Sequence, residues 1–457
     1  MDKKNNSLFH LDGRPSLGQS FPIALQHFLA MLVGNALPSL VLTNTLKGTP
    51  FAVSPEEAVY IIQAGMFIAA IATLLQLYPV LKVGAKLPVI MGVSFAYIPI
   101  LLEIGKNFGY GAIFGAQLVG GIVAFVVGLG IGKIRKFFPP IVSGTVVLTI
   151  GLSLYPVAVR YMAGGAGNPH FGSPWTFGVA VFTLLVVLAC NMYGKGLIKL
   201  CAILIGIVSG YVLSLIINQF FVPDFMSFSN VTTASWFTLP KFLPFKPEFP
   251  IGAVLTMAIM YVVNSVQAVG DISSTTIGGM DREPSDTEIA GAIKANGISS
   301  LIGSLIGALP TATYSQNVGI VSQTKVIARR VLAITGIIIL VAGFVPKFGG
   351  LMMSIPQCVI GGATISVFAQ ITMNGIKLIT SQEMSMRNAT IVGLGVALGM
   401  GIVSVPEATQ YLSATAKMIF TSSPVILATI VVFVLNIVLP NKTLEQERLE
   451  RENLDKK

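Results

Sequence analysis

Leu309-Pro310-Thr311-Ala312-Thr313-Tyr314-Ser315-Gln316-Asn317-Val318-Gly319 occupies a place where an apolar, membrane-crossing stretch is due, yet it is too polar to face lipid. Its first part suits an extended strand, and Ser315 to Asn317 supply N-cap chemistry for a helix starting there. An earlier stretch echoes it: Leu87-Pro88-Val89-Ile90-Met91-Gly92-Val93-Ser94-Phe95. Each has Leu-Pro, then a Ser five or six residues on at a break in an apolar run. Non-helical backbone at membrane depth survives only when buried in protein or lining a cavity. Short, Pro-interrupted segments at matching positions of two halves point to the substrate site of an inverted-repeat transporter.

The surrounding chain fits that setting. Of 457 residues, 53% are hydrophobic and only 11% charged, with a mean hydropathy of +0.80. A soluble domain carries about 25% charged residues, so an ordinary soluble globule is excluded. A bilayer core about 30 Å thick needs about 20 apolar residues per helical crossing. Runs of spanning length predict fourteen segments: 18–42, 58–80, 87–104, 110–132, 139–159, 175–193 and 198–220, then 251–270, 289–308, 310–328, 331–346, 352–373, 388–404 and 422–440. The polar, aromatic-rich stretch 221–250 separates the two sets of seven. The two breaks fall in segments three and ten. An odd shift of seven means the halves face opposite ways across the bilayer.

Charge sets the orientation. With residues 1–17 cytoplasmic, the outward loops hold Lys47, Lys106, Arg160, Lys241, Lys246, Lys347 and Lys417, or 7 of 29 basic residues. The rest, among them Lys133, Arg135, Lys136, Arg329 and Arg330, lie at the inner boundary, as the positive-inside rule requires. The formal net charge of +10 therefore reflects inner loops and not nucleic-acid binding. Loop 221–250 is then extracellular and the tail 441–457 cytoplasmic, with Glu445, Arg448 and Glu452 at helical spacing. Met1 to Gln19 is polar and basic without a short apolar core and cleavage site, so no signal peptide is expected. Cys190, Cys201 and Cys358 lack any CxxC spacing and read as buried spectators. No cofactor and no metal site are expected. The pairs Gly111/Gly115, Gly303/Gly307 and Gly395/Gly399 read as close helix packing.

Asp271 is the one acid placed well inside a spanning segment. At the bilayer centre an Asp costs about 2.5–3.5 kcal/mol on insertion scales, so it must face protein or water. Asn264, Gln267, Asp271 and Ser274 recur at i, i+3, i+7 and i+10, one face of segment eight. Such a seam can glue helices together or serve as a proton relay. His27 is the one histidine inside an apolar run; it can carry a proton or merely bond a carbonyl. Segment one corresponds to segment eight under the repeat, which predicts that His27 and Asp271 line one cavity. Gln316 presents a donor and an acceptor together, as a ligand edge alternating N–H and C=O requires.

Gln316-Asn317-Val318-Gly319-Ile320-Val321-Ser322-Gln323-Thr324-Lys325 resembles the signature of the nucleobase–ascorbate transporter family, Gln/Glu-Asn-x-Gly, four variable positions, Thr, then usually Arg, Lys or Gly. Gln267-Ala268-Val269-Gly270-Asp271-Ile272 is similar to that family's segment-eight motif, and Gln26-His27 to its segment-one pair. The likeness covers essentially the whole chain. It implies an all-α polytopic membrane protein: fourteen segments as two inverted repeats of seven (18–220 and 251–440), with short strands in interrupted segments 3 and 10. Segments 1–4 and 8–11 would form a core domain and 5–7 with 12–14 a gate domain, paired as a homodimer in the cell membrane.

Carried over by position, the resemblance implies that Phe95 and Ser315 offer backbone groups to a nucleobase, with the Phe95 ring beside it. Gln316 would bind the base edge and Asn317 would stabilise the loop. Gln267 departs from the Glu that most members carry as base anchor, and Asn296 stands where many purine carriers have Asp. These departures leave Asp271 as the principal titratable group. Uptake of an oxidised purine such as xanthine or urate, driven by H+ or Na+, is the implied activity. A uracil or broad pyrimidine permease is the alternative, less favoured because uracil-type carriers usually open the signature with Glu. The sulfate-type anion carriers share the fold but not the Gln-Asn-x-Gly signature. A channel needs a continuous polar lining and an intramembrane enzyme a nucleophile–base pair; neither pattern is present.

Overall fold

The computed structural model describes residues 7–134, 139–165, 168–421, 423–440 and 444–446. Met1–Asn6, Arg135, Lys136, and Arg448 and Glu452 of the expected tail helix lie outside the described residues. Helices dominate. The first half carries α1 (Leu17–Leu46), α2 (Pro55–Leu77), β1 (Met91–Val93), α3 (Ile98–Ile134), α4 (Pro140–Met162), α5 (Pro174–Tyr193), α6 (Leu197–Leu200) and α7 (Ala202–Phe220). A short α8 (Ser229–Thr233) lies in the long loop. The second half carries α9 (Ile251–Met280), α10 (Asp286–Leu305), β2 (Thr311–Thr313), α11 (Ser315–Thr324), α12 (Arg329–Gly343), α13 (Pro346–Met353), α14 (Gln357–Thr380), α15 (Met386–Ser404), α16 (Ala414–Thr421) and α17 (Pro424–Val438).

Local sequence explains where these helices begin. Ser54-Pro55-Glu56-Glu57 and Ser285-Asp286-Thr287-Glu288 each form a capping box, the serine hydroxyl taking an early N–H while the glutamate returns to the serine N–H. Gly109 (φ 80°) breaks α3 between predicted segments three and four, a left-handed conformation suited to glycine. Among the described residues nine helices are long and apolar enough to cross a membrane, or ten if α12 and α13, bent by 79°, make one span. The other predicted segments fall short for visible reasons. Segment ten is a three-residue strand followed by a ten-residue helix, α10 carries three serines and three glycines, and α17 has only 15 residues.

The two breaks meet. β1 and β2 pair antiparallel with Met91 opposite Thr313, Gly92 opposite Ala312 and Val93 opposite Thr311. Ser94 N–H donates to Pro310 O (3.1 Å) and Tyr314 N–H to Ile90 O (2.9 Å), closing the ladder at both ends. Among the described residues no third strand pairs with the outward edge of β1, and side chains stand in for one. Thr73 Oγ1 accepts from Met91 N–H (3.0 Å) and donates to Met91 O (3.4 Å). Asn35 Oδ1 accepts from Val93 N–H (2.7 Å), and Tyr314 Oη donates to Val93 O (3.4 Å). Tyr314 fits because Gly34 and Gly92 flank it: a Cβ on Gly92 would lie 2.6 Å from the Tyr314 ring and 2.7 Å from Asn35 Oδ1.

The chain divides into two compact units. The first comprises Met1–Ile131 and Pro156–Ser366, and holds both breaks and α5 to α7. Within it, α2 is buried almost all round, as an apolar helix without a polar face must be. Loop 221–250 is stitched over this unit: Leu243 N–H donates to Leu305 O and Glu248 N–H to Gly111 O, and Phe245 stacks on Tyr110 and Phe114. The Gly111/Gly115 notch thus receives the loop at Glu248, where two helices were expected to meet, because a Cβ on Gly115 would strike Glu248 O at 1.9 Å. At the opposite terminus Leu8 O accepts from the Ile327 and Ala328 N–H groups, and Asp12 pairs with Arg329. The hydrogen bond from Arg329 holds the Asp12 carboxyl below its usual range. The second unit comprises Gly132–Tyr155 and Val367–Lys457. There Gly395 and Gly399 face Val432 and Ala428, so that glycine pair does serve helix packing, of α15 on α17.

Gly92→Ala should lower the thermal unfolding midpoint of the purified protein measurably, by overpacking worth about 1–3 kcal/mol. Gly178→Ala, whose Cβ would meet nothing within 4 Å, should leave the midpoint unchanged or raise it. Equal midpoints for the two variants would contradict the packing at Tyr314.

Candidate functional site

β2 delivers the chain to the start of α11, and α9 runs alongside: a Cβ on Gly279 would touch Val321 at 2.8 Å. The N-cap position of α11 is Tyr314, and no side chain caps the helix. The expected capping by Ser315 to Asn317 is therefore not what forms. Ser315 is already the first helical residue, and its hydroxyl turns to Asp271 Oδ1 (2.9 Å). Thr313, from β2, donates its hydroxyl to the other oxygen, Oδ2. Asp271 thus grips the strand-to-helix junction from both sides with two charge-assisted hydrogen bonds, the stronger kind.

Behind it runs a neutral relay. Thr311 Oγ1 donates to Asn296 Oδ1 (3.2 Å), and Asn296 Nδ2 donates to Asn264 Oδ1 (2.8 Å). All three residues are buried. The polar face predicted on α9 is consequently graded. Asn264 is sealed inside, Gln267 and Asp271 are half-buried, and Ser274 is exposed.

His27 is fully buried, so it lines no open cavity with Asp271, contrary to expectation. It joins instead to Asn317. Asn317 Nδ2 lies 3.1 Å from the His27 carbonyl oxygen, which can only accept, so this amide nitrogen is the donor. The same nitrogen sits 3.0 Å from His27 Nδ1, which must then be the unprotonated ring nitrogen. The contact ties α1 to α11, and its geometry favours the bland reading of His27 over the proton carrier.

Gln267 and Gln316 differ from these neighbours. Both are half-buried, and among the described residues neither side-chain amide makes a hydrogen bond within the chain. Gly270 and Ser274 beside the first, and Ser315 and Gly319 beside the second, are exposed, so packed α9 and α11 present adjoining open faces. Phe95, 9% exposed, begins the turn Phe95–Tyr97 that leads from β1 into α3. The structure thus joins Asp271 to Ser315, Asn317 to His27, and Asn296 to Asn264. Sequence reasoning missed Asn35, Thr73 and Tyr314, whose signal is weak: single polar groups in apolar runs, meaningful only once one asks what satisfies a strand edge in lipid. Among the described residues no group of three His, Cys, Asp or Glu side chains is placed to hold a metal ion.

A model of the permease family (Xan_ur_permease) matches residues 18–408. The chain belongs to the nucleobase–ascorbate transporter family. Among its relatives, the uric acid permease PucK of Bacillus subtilis is 35% identical over 414 residues, covering 89% of this chain and 93% of that protein. The xanthine permease of Bacillus subtilis is 30% identical over 444 residues, covering 96% and 98%. The transmembrane domain of the cyanobacterium bicarbonate transporter BicA, at 14% identity, superposes with a TM-score of 0.56 over 92% of this chain and 98% of that domain, which speaks to the fold. As a member of the nucleobase–ascorbate transporter family, the chain is an integral membrane permease and not an enzyme.

Thr313→Val and Ser315→Ala each remove one hydroxyl from Asp271. The buried Thr313 should cost more, about 1.5–3 kcal/mol for a hydrogen bond to a charged group, while exposed Ser315 can be replaced by water. Thermal unfolding at neutral pH should rank them so; a larger loss for Ser315→Ala would contradict the junction described.

Proposed function

We propose that the chain is a secondary active permease that imports a purine nucleobase, xanthine or urate, together with H+. The observation that carries this reading is the pair Gln267 and Gln316. They are half-buried amides without hydrogen-bond partners among the described residues, beside Asn, Thr and Ser side chains that are paired. An oxidised purine offers alternating N–H and C=O groups along its edge, and a carboxamide matches both. The relatives named as uric acid and xanthine permeases support a purine over uracil. The uncapped N-terminus of α11 adds the positive end of a helix dipole to the same place.

The proposed membrane arrangement keeps fourteen segments in two inverted repeats of seven, 18–220 and 251–440. Residues 1–17 and 441–457 are cytoplasmic and loop 221–250 extracellular. Segments 1–4 and 8–11 form the substrate-carrying core and the rest the gate, in a homodimer. Coupling falls to Asp271. As a carboxylate it accepts from both Thr313 and Ser315; once protonated, one oxygen carries a hydrogen and must donate. Its oxygens keep acceptor capacity, but the new O–H needs an acceptor of its own, which a neighbouring hydroxyl supplies by reversing its role. Proton uptake is thereby linked to the geometry of the junction that holds Gln316.

Labelled xanthine uptake, competed by unlabelled bases with and without a protonophore, tests the reading. Gln316→Ala should abolish detectable uptake while the protein still reaches the membrane, because a site built to hydrogen-bond its ligand loses about 10⁴-fold when pairing fails. Normal transport by this variant would refute the site, and competition by uracil alone would reassign the substrate.

Asp271→Asn preserves size and much of the hydrogen bonding but removes the proton site. It should still exchange labelled for unlabelled base across vesicles, yet fail to accumulate base against a gradient. Continued, protonophore-sensitive accumulation would exclude this role. Sodium-dependent, protonophore-insensitive uptake by the parent would instead make Asp271 a cation ligand.

A further inference from the structure

From the contacts of α1 we infer that Asn35 is a positioning residue of the substrate site, fixing where the β1 break, and Phe95 beyond it, stands relative to α11. The inference rests on the reading of that break as the place where the base binds. Asn35 is fully buried, and its side chain is spent on two neighbours. Oδ1 accepts from Val93 N–H at 2.7 Å, and Nδ2 reaches Met66 Sδ on α2 at 3.2 Å. The strand lies flush against it, since a Cβ on Gly92 would come within 2.7 Å of Oδ1. Val93 is the last residue of β1. Ser94 follows, its hydroxyl accepting from Ala96 N–H at 3.2 Å, and Phe95 opens the turn. No slack separates the anchored N–H from Phe95.

The same helix also anchors the other break. His27 takes the Asn317 amide of α11 through both its ring nitrogen and its carbonyl oxygen. Eight residues along α1, about 12 Å at 1.5 Å per residue, Asn35 takes the β1 break. α1 therefore works as a ruler between the two halves of the site, with one contact at each mark. At membrane depth no water replaces a lost acceptor, so Val93 N–H freed from Asn35 must be re-satisfied by a shift of the strand, and Phe95 shifts with it. The remaining anchors, Thr73 and Tyr314 on β1 and the β1–β2 ladder, keep the fold. The effect should therefore appear in substrate affinity and not in insertion.

The test compares Asn35→Ala with Asn35→Asp, which retains an acceptor oxygen at the same reach, by initial rates of labelled xanthine uptake normalised to transporter in the membrane. The alanine variant should raise KM at least tenfold with Vmax within threefold of the parent, and the aspartate variant should hold KM within threefold. Parental KM in the alanine variant, equal impairment of both variants, or a fall in Vmax at unchanged KM would each overturn the inference. Should the alanine variant not reach the membrane, Met66→Leu decides: it removes the sulfur partner and keeps the acceptor, so KM should stay parental, and a tenfold rise would overturn the inference. A parent that takes up no purine at all refutes the functional reading itself, whereas a purine-transporting parent with an indifferent Asn35 refutes only the ruler.

Discussion

The constraint on which the rest of this structure depends is that every backbone N–H and C=O at membrane depth needs a partner inside the protein. A helix meets it by itself; a three-residue strand cannot. β1 and β2 satisfy each other on one side, and the free edge of β1 is closed by Thr73, Asn35 and Tyr314. Those three side chains come from α2, α1 and the residue preceding α11. Closing one strand edge thus forces three distant parts of the chain into one place. The glycines at 34 and 92 follow from that closure, since the tyrosine that caps Val93 O needs their missing side chains.

What the protein gains from so demanding a device is a pair of short elements that end where continuous helices would otherwise run. A continuous helix would bury its amides in its own ladder and present only side chains. The interruption instead leaves Ser315 at the start of α11 exposed, while the turn after β1 stays buried at the other end of the ladder. Asp271 then stabilises this opening with two hydroxyl bonds. The residue proposed to carry the proton is therefore also the latch of the junction, and protonation and junction geometry cannot vary independently.

Much of the architecture was legible in the sequence because it rests on composition and periodicity. The long apolar runs place most helices, and Leu87-Pro88 and Leu309-Pro310 mark the breaks. The signature beginning at Gln316 identifies the family. Less legible was anything that depends on which side chain reaches which backbone group. Ser315 reads as a cap, since serine before a helix usually is one, but it is the first residue of α11 itself, one place too late to cap it, and its hydroxyl donates to Asp271. His27 reads as a cavity residue because it is titratable, yet Asn317 occupies its Nδ1 and protein covers the ring. Gly111 and Gly115 read as a helix contact because spacing cannot distinguish a helix from a loop laid into the same notch.

The two departures from the family pattern gain meaning from the same geometry. Asn296 and Asn264 form an amide-to-amide bond that continues to Thr311, so the interior beside the site is a neutral relay. An acid at 296 would put a second titratable group against Asn264 and Thr311. With amides at 264, 267 and 296, no such group stands there. Asparagine and glutamine have fixed donors and acceptors, so they can hold a ligand or a strand but cannot change their proton count. Among the side chains at 264, 267, 271 and 296, only that of Asp271, which also fastens Thr313 and Ser315, can change its proton count.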